Sequence, residues 1–298
     1  MPLPIGINIW SRLVEKTFTY LDQVITPNTP YDALWFPDHV QYADNRVAEG
    51  WSLMAFAMGR YPTMLCGHEV LCNSFRNPSH LAKMGATMQA LSGGKFVLGI
   101  GAGWNQEEYL AYGWPFPKAS VRIAMLEEAI QIIRAMWRES PANFVGQHYQ
   151  IANAHCEPRP TPTPPVMVGG TGEKHLLRVV AQHANWWNYV FTDLPAYAHK
   201  QRVLMAHCQD VGRNYAEIQQ VVVVRILISE TEAELARLKL EPHLRPLEGG
   251  FAGTPEQITE ALLPIIRQGA HRLSVNFADA PNPQGTLLFA ERVLPHLA

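Results

Sequence analysis

Charge is scarce in this sequence. Asp, Glu, Lys and Arg make up 17% of its 298 residues, against about 25% in an average soluble domain. Lys plus Arg number 24 and Asp plus Glu 26, a formal charge of −2, with no long run of either sign. That excludes the basic field on which nucleic-acid binding depends. Long apolar runs are missing as well. The longest uncharged apolar stretch, Gly50 to Gly59, has 10 residues, about half of what a spanning helix requires, so no membrane span is expected. The opening Met1-Pro-Leu-Pro-Ile carries no basic segment ahead of an apolar one. No secretory signal is read there, and a cytoplasmic location is expected. The four cysteines, Cys66, Cys72, Cys156 and Cys208, form no CxxC pair and read as reduced, packed thiols. There is no HExxH, no GxSxG and no Walker pattern, and the 12 histidines are scattered. Such a sequence gives little support to a catalytic metal.

Apolar residues, by contrast, reach 47%, enough for a large core. They fall into strand-length runs with helical patterns between them. Strands are predicted at Pro4–Trp10, Ala33–Phe36, Leu65–Cys72, Phe96–Gly101, Pro165–Val168, Asn185–Val190, Gln219–Ile228 and His271–Phe277. Helices are predicted at Arg12–Ile25, after Asn77-Pro78 (an N-cap followed by proline at the first helical position), and over Ser120–Arg138. Ser229-Glu-Thr-Glu232 and Thr254-Pro-Glu-Gln257 match a capping box and predict two more helix starts. Ser140 to Pro165 breaks the alternation, with five prolines between Pro158 and Pro165. Because the same alternation resumes beyond it, this stretch reads as an excursion within one domain covering residues 1–298. Eight strands buried on both faces predict an α/β fold, a (β/α)8 barrel with an insertion after the fourth strand–helix unit. A doubly wound open sheet is the alternative.

In a barrel, chemistry sits at the C-terminal ends of the strands. The second strand ends in Pro37-Asp38-His39, placing an acid and an imidazole at the mouth. The third carries His68-Glu69, of which strand alternation sends only one towards the axis. A glutamate inside an apolar strand needs a partner, for instance a neighbouring Arg or Lys. Cys72, further along, has no local support as a nucleophile. The fourth strand ends in Gly99-Ile-Gly-Ala-Gly103-Trp104-Asn105, which lacks the GxGxxG spacing of a dinucleotide site and instead lets a flat ligand approach the backbone. The fifth ends in Gly169-Gly170-Thr171-Gly172-Glu173-Lys174-His175, glycines that open a helix and so suit an anion. Trp10, Trp35, Trp104, Trp186 and Trp187 lie at or near predicted strand ends, as pocket walls or as core.

Taken in order, Tyr31-Asp-Ala-Leu-Trp-Phe-Pro-Asp-His39, Cys72-Asn-Ser-Phe-Arg-Asn-Pro78, Leu91-Ser-Gly-Gly94, Gly99-Ile-Gly-Ala-Gly-Trp104, Tyr112-Gly-Trp-Pro-Phe-Pro117, Val168-Gly-Gly-Thr-Gly-Glu173 and Gly253-Thr-Pro-Glu-Gln257 resemble the bacterial luciferase-like monooxygenase family. Within that family they resemble the coenzyme F420-dependent oxidoreductases. The resemblance implies a flavin- or deazaflavin-dependent oxidoreductase acting on a small organic molecule, with F420 favoured over FMN and a homodimer as the assembly. A flavin reductase would be a partner if FMN is used. It puts the cofactor phosphate at Gly169–Glu173 and the ring near Trp10, His39, Glu69 and Val70, with a bulge or a non-prolyl cis bond at Glu69-Val70. The candidate catalytic groups are His39, Asp38 and Glu69. The candidate cofactor contacts are Trp10, Val70, Cys72, Gly103, Asn105, Gly169, Gly170, Thr171, Gly172 and Glu173, and no metal ligand is assigned. Trp104 stands where the sugar-phosphate dehydrogenases of the family carry a catalytic glutamate, which implies a more apolar pocket. Two rival readings are a barrel that binds flavin without turnover and a metal-dependent barrel hydrolase.

Overall fold

The computed structural model describes residues 3–10, 14–42, 47–241, 244 and 249–297. The predicted start of the first helix, Arg12 and Leu13, lies outside them. In chain order the first half contains β1 (Ile5–Asn8), α1 (Val14–Val24), β2 (Ala33–Phe36), α2 (Gly50–Arg60), β3 (Leu65–His68), β4 (Leu71–Cys72), α3 (Pro78–Leu91) and β5 (Phe96–Gly101). Then come α4 (Gln106–Ala111), α5 (Ala119–Arg138), β6 (Ala142–Val145), β7 (Gln150–Ala154), β8 (Val166–Gly169), α6 (Leu176–His183) and β9 (Trp186–Val190). The last part has α7 (Leu194–Asp210), β10 (Gln219–Ile228), α8 (Glu232–Leu238), β11 (Phe251–Gly253), α9 (Pro255–Arg267), β12 (Arg272–Phe277) and α10 (Gln284–Arg292).

Eight parallel strands close into a ring in the order β1, β2, β3, β5, β8, β9, β10, β12. The ring is shut by β12 against β1, with Ile5 opposite Leu273 and Ile7 opposite Val275. This is the (β/α)8 barrel. Along β10 the alternation is plain: Val222, Val224, Ile226 and Ile228 pack outward in the large core under the helices. Val221 faces the axis with Ala33, Trp35, Val97 and Met167. Trp35, fully buried, fills that axis. A glycine on each adjacent strand makes room for it: a Cβ on Gly6 would overlap the indole Nε1, and one on Gly67, its partner in register, would sit 2.9 Å from Cζ3. Trp186 closes the floor, edge-on to Trp35 at 6.2 Å.

Two local expectations are corrected, and elements appear that the sequence analysis did not place. The third strand is not continuous, because the cis Glu69-Val70 peptide separates β3 from β4. The helix near Ser229 starts two residues later than its capping box implied: Thr231 is the cap, accepting from the Glu234 N–H, and α8 begins at Glu232. Helix α2 was not read at all, since its nearly all-apolar sequence hides the helical period. It is announced by Glu49, whose carboxylate accepts from the N–H groups of Trp51 and Ser52 at 3.1 and 2.7 Å. A short extra strand, β11, pairs with the end of β10. Asn77 and Thr254 cap their helices as expected. The proline-rich excursion holds an antiparallel hairpin, β6 with β7, tied to α5 by Glu128, which accepts from three consecutive N–H groups at Gln147, His148 and Tyr149.

Candidate active site

His68 and Glu69 divide as strand alternation requires. His68 turns outward, fully buried and stacked on Trp51 of α2 with centroids 5.7 Å apart. Neither ring nitrogen has a well-formed hydrogen bond among the described residues, and burial pushes its pKa down to about 4. Glu69 turns to the axis, where its partners are neutral donors rather than an Arg or Lys. Oε2 accepts from Asn8 Nδ2 at 2.7 Å and from Ser274 Oγ at 2.5 Å, and Oε1 accepts from Asn188 Nδ2 at 3.0 Å. Burial pushes its pKa up to about 7, against the pull of these donors and of the more distant Arg272 charge.

These neighbours have opposite effects on stability as pH changes. Below an ordinary value of 6.5, unfolded His68 takes a proton that the folded ring refuses until about 4, so stability falls as pH falls. Glu69 in the fold keeps a proton that the unfolded chain releases above 4.5, so its contribution falls as pH rises towards about 7. Between about pH 4.5 and 6.5 the two slopes cancel. Glu69→Gln leaves the histidine slope exposed and is expected to gain about 1.4 kcal/mol per pH unit relative to the parent across that window, and His68→Phe to lose as much. Urea midpoints measured through the window check this; parallel profiles for all three proteins would refute the assignment.

Val70 follows Glu69 and is wedged between two strand ends. A Cβ on Gly101 or on Gly169 would come within 2.8 Å of its methyl groups. Above it, at the mouth, His39 is only 8% exposed. Its Nδ1 lies 3.1 and 3.2 Å from the two oxygens of Glu108, a residue the sequence analysis missed. Nε2 has no protein partner among the described residues. Tyr42 stacks on the imidazole at 4.7 Å, with Trp10 at 5.5 Å and Trp104 edge-on at 6.0 Å. Trp10 and Trp104 stay 38% and 65% exposed. Trp35, Trp186 and Trp187 belong to the core instead.

Asp38 is turned away from this wall. Its carboxylate takes both arms of the Arg76 guanidinium at 2.7 and 2.9 Å and accepts the Cys72 N–H at 2.8 Å, so both oxygens are occupied. Cys72 is a buried thiol 2.8 Å from the Tyr109 hydroxyl, and burial pushes its pKa up to about 12. Gly103 has φ +78°, and a Cβ there would run into the same hydroxyl, so only glycine fits. Asn105 precedes α4 and its side chain donates to the Gln41 carbonyl at 3.5 Å.

The glycine loop after β8 does not open its helix directly. A turn at residues 173–175 intervenes, and α6 begins at Leu176. Gly170 has φ +126°. Its N–H donates to Asn188, but the next six main-chain N–H groups, Thr171 to Leu176, find no protein acceptor among the described residues. That is the donor array an anion requires at a helix N-terminus. Lys174 makes no ion pair among the described residues. Glu173 points to α7 instead, its carboxylate held by Lys200 at 2.6 Å and His199 at 3.0 Å.

Residues 28–271 match the profile of the luciferase-like monooxygenases, and the chain belongs to that family. It is 32% identical over 157 residues to an F420-dependent glucose-6-phosphate dehydrogenase of Amycolatopsis mediterranei, covering 51% of this chain and 46% of the relative. It is 31% identical over 163 residues to the pyrimidine monooxygenase RutA of Acinetobacter baylyi, covering 53% and 43%. The chain thus matches less than half the length of these curated relatives. Its fold superposes on an F420-dependent secondary alcohol dehydrogenase solved with an F420–acetone adduct, with a TM-score of 0.82, 17% identity and full coverage of both chains. It also superposes on the EDTA monooxygenase of Chelativorans sp. BNC1, with a TM-score of 0.81, 17% identity and coverage of 100% and 94%.

Proposed function

We propose that this protein is an oxidoreductase that binds F420, in preference to FMN, at the barrel mouth and acts on a small organic substrate. The observation that carries the reading is the run of unpaired N–H groups from Thr171 to Leu176, at the same end of the barrel as His39. Both cofactors carry a phosphate, and such a run suits one, with Lys174 adding charge. The glycines at 101 and 169 suit the group as well, since they let Val70 present a flat apolar surface between two strand ends. The bound ring would supply hydride or oxygen chemistry. The chain's own contribution is then clear. Val70 would back the ring, Trp10 and Trp104 would flank the substrate space, and Glu69 with Asn8, Asn188 and Ser274 makes a polar floor. His39 gives or takes a proton through Nε2. Asp38 clamps the strand end that carries His39. The family resemblance, and the dehydrogenase among the relatives, favour F420. With FMN, a flavin reductase would have to supply the reduced form.

Parallel titration of the purified protein with F420 and FMN tests this, with F420 expected to bind more tightly. Gly170→Val forces a side chain into the left-handed region and onto Leu176, and is expected to weaken binding at least about tenfold, or about 1.4 kcal/mol. Lys174→Glu leaves the backbone alone and is expected to weaken it too. Unchanged affinity in both variants, with unchanged circular dichroism, would reduce the loop to a plain turn.

A further inference from the structure

We infer that Glu108 is the positioning residue for His39: it holds the imidazole by Nδ1–H and leaves Nε2 as the one atom that exchanges a proton with the contents of the mouth. The turnover part of this inference rests on the function proposed above; the tautomer part does not.

The geometry is specific. A carboxylate accepts and cannot donate, so the ring nitrogen that faces it carries the hydrogen. Both Glu108 oxygens lie within 3.2 Å of Nδ1, and the Glu108 side chain is only 3% exposed against 10% for that of His39, so water cannot substitute. The carboxylate is itself fixed, because Oε2 also accepts the Val40 N–H at 3.2 Å. One helical turn on, Tyr112 donates its hydroxyl to the Val40 carbonyl at 3.1 Å. Positions 108 and 112 share a helix face, so one face of α4 and its C-terminal flank is committed to residues 39 and 40. The ring plane is set independently, by Tyr42 stacked at 23° on one face and Trp104 edge-on at 87°. An imidazole held at one nitrogen, on one face and at one edge presents its second nitrogen in a single direction. This is the arrangement in which a buried carboxylate makes a histidine an effective proton carrier.

The test is 15N NMR of the imidazole in the apoprotein at alkaline pH, with His39 assigned from the signals lost in His39→Asn. The parent is expected to show Nδ1–H with a bare Nε2. Glu108→Leu is expected to revert to the Nε2–H tautomer that free imidazole favours in water, and Glu108→Asp to retain the parent signature in part. With a substrate in hand, kcat of the Leu variant is expected to fall at least about tenfold, KM changing no more than a few-fold, with partial recovery in Glu108→Asp. If the Leu variant does not fold, Glu108→Met, closer in length and lacking an oxygen acceptor, is read the same way. Nε2–H in the parent, or a tautomer and kcat indifferent to residue 108, would overturn the inference. A protein that shows the tautomer change yet binds neither F420 nor FMN keeps this inference and loses the proposed function.

Discussion

Replacing His39 with alanine is expected to lower turnover at least roughly 100-fold while leaving cofactor affinity within a few-fold. The imidazole is the one titratable ring at the mouth with a nitrogen lacking a protein partner among the described residues, and the donors suited to a phosphate lie elsewhere, between Thr171 and Leu176. Binding and proton transfer are therefore carried by separate parts of the chain, and removing one leaves the other. Positioned acid–base groups typically supply about 10²–10⁴-fold in rate. The stability cost is expected to be small, because the Glu108 carboxylate keeps the Val40 N–H and gains access to water through the space vacated. Stopped-flow turnover beside cofactor titration decides it. Retained turnover with a lowered melting temperature would make the ring structural and return the acid–base role to Glu69.

The opposite signature is expected at the preceding residue. Asp38→Ala is expected to cost about 3 kcal/mol of stability and to leave turnover per folded molecule within about tenfold. The Arg76 side chain is 13% exposed and that of Asp38 wholly buried, so removing the acid strands a guanidinium and the Cys72 N–H together. Glu49, whose Oε1 lies 2.5 Å from Nη2 of Arg76, the nitrogen that also meets Asp38, keeps the loss from being larger. Urea unfolding checks the first half and activity normalised to folded protein the second. A stable but inactive variant would restore Asp38 to the chemistry.

The contrast between these neighbours explains what the sequence could show. The rule that chemistry lies at strand C-termini singled out Pro37-Asp38-His39, but it cannot say which of two adjacent polar side chains faces the mouth. That depends on Arg76, 38 positions away and reached only through folding. Glu108 was missed for the same reason. A Glu-Glu pair soon after a glycine-rich strand end is visible, yet its contact with His39 spans 69 positions. The barrel itself was legible because buried strands leave a short-range mark in apolar runs of fixed length. Asn8, Asn188 and Ser274 left a fainter one, each a polar residue inside such a run, as Glu69 is. Helix α2 left almost none, being apolar on every side.

The pairing of β1 with β12 has a consequence for the way this chain is made. The first strand's partner on one side is the last strand, so the ring stays open on a ribosome until residue 277 has emerged. Until then β1 carries an unsatisfied row of N–H and C=O groups, as does whichever strand is newest, and both are templates for pairing with other chains. Contacts this distant in sequence also form slowly. Nascent chains that have not yet reached residue 277 are therefore the species most exposed to misassembly, and they are where a chaperone would find most to hold.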